Sequence, residues 1–234
     1  MAASELAGPL TQARVAQAED MIHSNNARAW GSREIDMTRV CELVDRSAVD
    51  LPALPPTLPG TFVIAVQVIC RTLARVPVLN SRWSDEGIRV GKHIDIGLEI
   101  ATGRGRVVPV VKDADCLSLA ELAGALISAT QRAAAGPESV VAEQGTFTVG
   151  NSGAYGSVLS RPLLHDGQAA IYHLGTIRKV PFAVDDGIAI RAVCFGSMAF
   201  DHRVMDGGTS SRFQNLVKSG LETWTPENTA LQTA

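Results

Sequence analysis

Hydrophobic and polar positions follow two different periods along the chain, and the switches between them predict its elements. Over 8–24, Val15, Ala18, Met21 and Ile22 fall at the spacing of one helix face, opened by Pro9 and Thr11. A weak alternation over 33–38 predicts a strand that runs into a helix over 38–46, with Thr38 as its N-cap. Four prolines within 51–60 exclude a regular helix or a central strand there and predict a loop inside one domain. The next stretch, 61–76, reads as a strongly apolar helix whose Arg71 and Arg75 complement the dipole at its C-terminal end. Strict alternation over 92–100 puts Ile94, Ile96, Leu98 and Ile100 on one side, the pattern of a strand with one buried face. A second β-rich run occupies 107–111, and Pro109 within it predicts an edge or a break in pairing. An amphipathic helix is predicted over 117–135, with Ser118 as cap and Gly136 as stop. The last third is mostly strand, over 145–149, 168–174 and 188–200, before a final helix over 210–222.

Strands that pair over long sequence separations, with helices gathered to one side, predict an α+β fold in a single domain spanning 1–234. Composition agrees with a packed core, since 46% of residues are hydrophobic and 19% charged. A net charge of -3 with scattered Lys and Arg gives no electrostatic reason to expect nucleic acid or an anionic membrane as partner. No stretch approaches the roughly 20 apolar residues of a membrane span, and the N-terminus lacks the basic start and apolar run of a signal peptide. A cytoplasmic protein is the expectation. Cys41, Cys70, Cys116 and Cys194 are widely spaced with no Cys-x-x-Cys pair, which predicts reduced, buried thiols and no metal site.

Of the five histidines, His202 has the setting best suited to chemistry. It lies in Phe200-Asp201-His202-Arg203-Val204-Met205-Asp206-Gly207-Gly208, after a long apolar strand and before a helix, where a side chain is held rigidly yet accessibly. Imidazole is the side chain suited to exchanging a proton near neutral pH. Asp206 is placed to pair with a basic residue and hold the loop; the competing reading is that both residues only cap a helix and satisfy a turn. His93 and His173 read as packing or surface residues. His165, Trp30 and Tyr155 are weaker acceptor-pocket candidates, with Trp30 read first as core and Tyr155 as loop.

The stretch from Asp201 to Gly207 resembles the Asp-His-Arg-x-x-Asp-Gly signature of the acyltransferase (E2) catalytic domains of 2-oxoacid dehydrogenase complexes. Its shorter His-x-x-x-Asp-Gly form is shared with chloramphenicol acetyltransferase. Further matches run in order: Leu79-Asn80-Ser81-Arg82-Trp83, the segment from Ile96 through Ala101-Thr102-Gly103-Arg104-Gly105 to Asp115, and Thr146-Phe147-Thr148-Val149-Gly150-Asn151-Ser152-Gly153 through Gly156. The resemblance covers about residues 9 to 223. It implies a chloramphenicol-acetyltransferase-like two-layer sandwich, a mixed sheet with helices, assembled as a homotrimer with a channel at each subunit interface. His202 is implied as general base and Asp206 as the residue that orders its loop, with Arg14 and Gly207 in support. Gly150, Asn151, Ser152 and Ser197 fall on the oxyanion and acceptor side. Three positions depart from the family: Gly150 stands where it has Ser or Thr, Ala199 where it often has Ser, and Asp20 where it usually has Arg.

No lipoyl or subunit-binding segment is recognisable, and the tail over 223–234 is polar, which points to a free trimer. Together these features make the chain similar to stand-alone E2-like O-acetyltransferases of tetronate biosynthesis. On that resemblance the expectation is transfer from acetyl-CoA to a hydroxyl of a small-molecule acceptor. Two alternatives stay open: a dihydrolipoyl acyltransferase core of a 2-oxoacid dehydrogenase complex, and a non-catalytic family member.

Overall fold

The computed structural model describes residues 28–102, 105–135, 144–165 and 167–229. The helix expected over 8–24, with Arg14 and Asp20, lies outside them, as does Gly136. In chain order the elements are β1 (Arg28–Asp36), α1 (Thr38–Asp45), α2 (Gly60–Arg75), β2 (Ser81–Ser84), β3 (Gly87–Val90), β4 (Ile96–Thr102), β5 (Gly105–Val107) and β6 (Val110–Val111), followed by α3 (Leu119–Ala135), β7 (Phe147–Asn151), β8 (Ala170–Leu174), β9 (Arg178–Val184), β10 (Gly187–Asp201) and α4 (Gly207–Glu222). An eight-stranded sheet runs β1-β10-β8-β7-β4-β5, with β6 also on β4 and β9 also on β10; β2 and β3 form a separate hairpin. The β4–β7 and β7–β8 pairs are parallel and the others antiparallel, so the sheet is mixed.

Because side chains alternate across a strand, the register sorts the central strands into two faces. Leu98, Val149, Tyr172 and Met198 are register partners across β4, β7, β8 and β10, and all are buried. They face the helices: the Tyr172 ring meets Phe213 of α4 edge-on at 6.1 Å, and Phe213 meets Phe147 at 5.9 Å. Helix α2 is apolar nearly all round because it lies in the middle of the helical layer, against both α3 and α4. The opposite face carries Gly97, Thr148, Ile171, Ala199 and Trp30 in one row. Ile171 and Ala199 form a small separate cluster there with Leu164. Two packed layers and a mixed sheet agree with the α+β class predicted from the pattern and with the two-layer sandwich that the resemblance implies.

Several local expectations change. Thr38 is the first residue of α1, not its cap: its N–H donates to Asp36 Oδ1 at 2.9 Å, and its hydroxyl accepts from the Ala192 N–H. Ser118 does cap α3, reciprocally with Glu121, whose N–H donates to the serine hydroxyl while its carboxylate accepts from the Ser118 N–H. Pro109 breaks the second β-rich run into β5 and β6, which pair with different parts of β4. Trp30 is 42% exposed rather than core, because its row faces away from the helices. Cys70 and Cys194 are buried and Cys41 half-buried, but Cys116 is exposed. Burial pushes the Cys41 thiol up to about 11 and Cys194 up to about 12, so neither is a thiolate near neutral pH.

Candidate active site

His202 sits in the turn between β10 and α4, and its neighbours fix that turn. Asp201, 4% exposed, ends β10. Its carboxylate accepts from the Arg203 backbone N–H at 2.9 Å and takes the Arg203 guanidinium in a fork, with Nε at 3.0 Å from Oδ1 and Nη2 at 2.6 Å from Oδ2. Its backbone carbonyl accepts from the N–H groups of Val204 and Met205. The guanidinium lies over the Trp83 ring, 4.8 Å from its centroid, which ties the turn to the β2–β3 hairpin. His202 packs on Phe200 with ring centroids 5.6 Å apart. Asp206 is the N-cap of α4, its Oδ1 accepting from the Thr209 N–H at 2.7 Å, and Gly207 opens the helix. The capping half of the competing reading therefore holds for Asp206. The clamp on the histidine turn is Asp201–Arg203, a pair the motif contains but whose role its spacing does not reveal.

The other candidates lie on one row of the sheet. Glu99, Gly150, His173 and Ser197 are successive register partners on β4, β7, β8 and β10, so their side-chain positions share the face away from the helices. Strands are about 4.8 Å apart, so Glu99 and His173 stand roughly 9.6 Å apart at the backbone, with β7 between them. They meet nonetheless, His173 Nε2 lying 3.4 Å from Glu99 Oε1. Gly150 permits this, for a Cβ there would come within 2.4 Å of His173 Nε2. His165 Nε2 approaches Glu99 Oε2 at 3.3 Å, and Arg106 donates to the same oxygen at 3.0 Å. Glu99, Arg106, Gly150 and His173 line a cleft of about 190 Å³ together with Asn151, Ser152 and Tyr155.

His173 is buried, as the packing reading has it, but it faces an ionisable partner in Glu99, and His165 joins the same cluster. Ser152 donates to the Leu174 carbonyl at 3.0 Å, and Asn151 Oδ1 accepts from the Ala154 N–H, so both shape the turn after β7. Ser197 is 1% exposed, and its hydroxyl has no hydrogen-bond partner among the described residues. Tyr155 is 67% exposed, at the rim, its hydroxyl 3.3 Å from the Ala101 carbonyl. Within one protomer His202 does not join this row: Ser197 and Asp201 are four residues apart on β10, about 13 Å of strand. No group of residues suited to holding a metal ion occurs among those described, nor is any described helix long and apolar enough to cross a membrane.

Burial alone would raise the Glu99 carboxyl; the facing imidazoles of His165 and His173, together with Arg106, overcome it and hold the group well below the usual carboxylate range. A depressed folded-state value adds stability that is present above the ordinary glutamate range near 4.3 and is lost as pH falls below it. Glu99→Gln is therefore expected to flatten the acid limb of the stability–pH profile, read by denaturant midpoints between about pH 3 and 7. An acid limb as steep as that of the parent protein would show that the cluster does not hold the charge.

The fold is shared with chloramphenicol acetyltransferase, which superposes with a TM-score of 0.56 over 90% of this chain and 96% of its own at 14% identity. The family is narrower than that fold. The model of the 2-oxoacid dehydrogenases acyltransferase (catalytic domain) family matches residues 3–231, and the chain belongs to it. It is 33% identical, over 81% of its length and 46% of the relative's, to the dihydrolipoyllysine-residue succinyltransferase component of the 2-oxoglutarate dehydrogenase complex of Bartonella vinsonii subsp. berkhoffii. It is 32% identical, over 92% of its length and 51% of the relative's, to the lipoamide acyltransferase component of the branched-chain alpha-keto acid dehydrogenase complex of Bacillus subtilis. A probable dihydrolipoamide acetyltransferase from Listeria monocytogenes superposes with a TM-score of 0.76 at 29% identity, covering 96% of this chain and 97% of that one. The chain spans about half the length of the curated relatives it matches. These relatives are named for dihydrolipoyllysine or lipoamide, which overturns the expectation of an O-acetyltransferase acting on a tetronate alcohol and favours the dihydrolipoyl alternative.

Proposed function

We propose that this chain is the catalytic domain of a dihydrolipoyl acyltransferase, moving an acyl group between coenzyme A and the thiol of a dihydrolipoyl group. The observation that carries the reading is a histidine turn clamped by Asp201 and Arg203 within a chain matched by the acyltransferase family over 3–231. His202 takes the proton from the attacking thiol. The sulfur then adds to the thioester carbonyl, the C–S bond to the leaving thiol breaks, and that thiolate takes the proton back from the imidazolium. No acyl-enzyme is needed, in keeping with the half-buried Cys41 and buried Cys194 thiols, which burial holds protonated. Asp206 supports the loop by capping α4 and transfers no proton. The separation between His202 and the Gly150 row along β10 favours a homotrimer, in which one copy's His202 serves the neighbouring copy's row across the interface. Acyl-CoA is the cosubstrate, and Asn151, Ser152 and Ser197 line or flank the acceptor side.

The test offers dihydrolipoamide with acetyl-, succinyl- and isobutyryl-CoA in turn and follows S-acyl dihydrolipoamide by mass spectrometry. Acylation of the dithiol with at least one donor is the expected result. Failure with all three, by a folded protein, overturns the reading.

A further inference from the structure

Ser152–Tyr155 form a single turn of 3-10 helix between β7 and β8, and its bonds fix the place of Tyr155. Asn151 Oδ1 accepts from the Ala154 N–H at 3.2 Å, and Gly156, left-handed at φ 80°, returns its N–H to the Gly153 carbonyl. That carbonyl also accepts from the Thr176 hydroxyl at 2.8 Å, and Ser152 donates to the Leu174 carbonyl at 3.0 Å, so the turn is seated on the end of β8. The seat is close: a Cβ on Gly153 would come within 2.5 Å of the Gly175 carbonyl carbon. At the end of this turn Tyr155 is 67% exposed, and its hydroxyl donates to the Ala101 carbonyl of β4 at 3.3 Å. A lone exposed aromatic needs no explanation. Tyr155 differs in being held at both ends, by the turn and by that bond, while it lines the same 190 Å³ cleft as Gly150 and Asn151.

Transfer between coenzyme A and a dihydrolipoyl group brings two substrates to the Gly150 row, a thioester and a dithiol on an aliphatic chain. The Arg106 guanidinium in the cleft is engaged by Glu99 at 3.0 Å, so an uncharged chain suits this cleft better than the phosphates of coenzyme A do. A fixed aromatic face offers such a chain apolar contact without first having to be ordered. We propose that Tyr155 is a specificity-determining residue for the acceptor, its ring packing on the methylene chain of the dihydrolipoyl group while the thiol lies at the Gly150 row. The proposal rests on the acyltransferase reading. Tyr155 takes no part in moving the proton or in breaking the thioester. Its contact is made alike in the ground state and the transition state, so it acts on KM for the acceptor and leaves kcat in place. The bond to Ala101 holds the ring, and Asn151 holds the turn that carries it.

The experiment measures kcat, and KM for acyl-CoA and for dihydrolipoamide, in the parent protein and in Tyr155→Ala, Tyr155→Phe and Tyr155→Leu, with the best of the three donors above. Propanedithiol, which has the same two thiols without the chain, serves as a second acceptor. Each variant is checked for folding by circular dichroism and for assembly by size-exclusion chromatography. Tyr155→Ala is expected to raise KM for dihydrolipoamide by about 3–10-fold, the scale of one aromatic face contact, with kcat and KM for acyl-CoA near the parent values. Tyr155→Phe keeps the ring and should stay nearest the parent protein, with Tyr155→Leu between Phe and Ala. With propanedithiol, kcat/KM should change little in Tyr155→Ala, because the chain is the part the ring touches. Folded Tyr155→Ala with the parent KM for dihydrolipoamide overturns the proposal. So does a rise in KM for acyl-CoA instead, which places the ring on the donor's path. Equal losses with both dithiols, or a change in assembly size, overturn it as well by making Tyr155 a structural or interface residue. A parent protein that transfers nothing overturns the acyltransferase reading and the proposal with it; an active parent matched by Tyr155→Ala overturns the proposal alone.

Discussion

Replacing His202 by alanine is expected to lower kcat for acyl transfer by about 10²–10⁴, the range that a positioned general base contributes. The fold should survive the change. The turn around residue 202 is fixed by groups other than the imidazole: the Asp201 carboxylate and carbonyl hold Arg203, Val204 and Met205, and Asp206 caps the following helix. The change also removes the ring contact to Phe200 at 5.6 Å. KM for acyl-CoA should therefore stay near the parent value while kcat falls, the signature of a group that acts in the transition state. Single-turnover transfer from acyl-CoA to dihydrolipoamide, run beside a denaturant titration, separates the two effects. A variant equally stable and equally fast would remove His202 from the chemistry and favour a non-catalytic role for the chain.

The two halves of the site were unequally visible in the sequence. The His202 half is contiguous: strand, turn and helix cap fall within Phe200 to Gly208, so local pattern alone marks it. The Glu99–His173 half is a row across β4, β7 and β8, with β4 far from the other two in sequence, and such a row exists only once register is fixed. Its clues were present singly. The strict alternation that buries Ile96 and Leu98 also puts Glu99 on the opposite face, and His173 interrupts an otherwise apolar strand beside a glycine where a hydroxyl was expected. Neither clue says that the two side chains meet, because pairing of β7 between β4 and β8 is a tertiary fact. The same limit explains the missed strands. β9 does alternate, with Val180, Phe182 and Val184 half-buried between exposed neighbours, but none of them is fully buried and Pro181 within the run reads as a break. β2 and β3 are four residues each, too short for alternation to stand out. Trp30 was misread for the converse reason: hydrophobicity suggests burial, but its row lies on the sheet face left outside the helical layer.

Asp201→Ala is expected to destabilise the protein by about 3 kcal/mol, near the low end for removing one partner of a buried ion pair. The low end applies because Asp201 is almost wholly buried, with 5% of its side chain exposed, whereas Arg203 keeps 26% of its own in contact with water and can regain hydration when the pair is broken. The same change should lower kcat although Asp201 touches no substrate, since the carboxylate fixes both the backbone and the side chain of the residue after His202. Arg203→Ala should cost at least as much in stability, because it leaves the almost wholly buried Asp201 carboxylate with the residue 203 N–H but no cation, and it also removes the guanidinium from the Trp83 ring. The pair should be coupled, so that the double variant loses less than the sum of the singles, with an interaction energy of about 1–3 kcal/mol in a double-mutant cycle. Denaturant midpoints measure the stability coupling and kcat measures the functional one. Additive losses in both would mean that the two residues act separately, and that the histidine turn is held by its backbone bonds and the Asp206 cap alone.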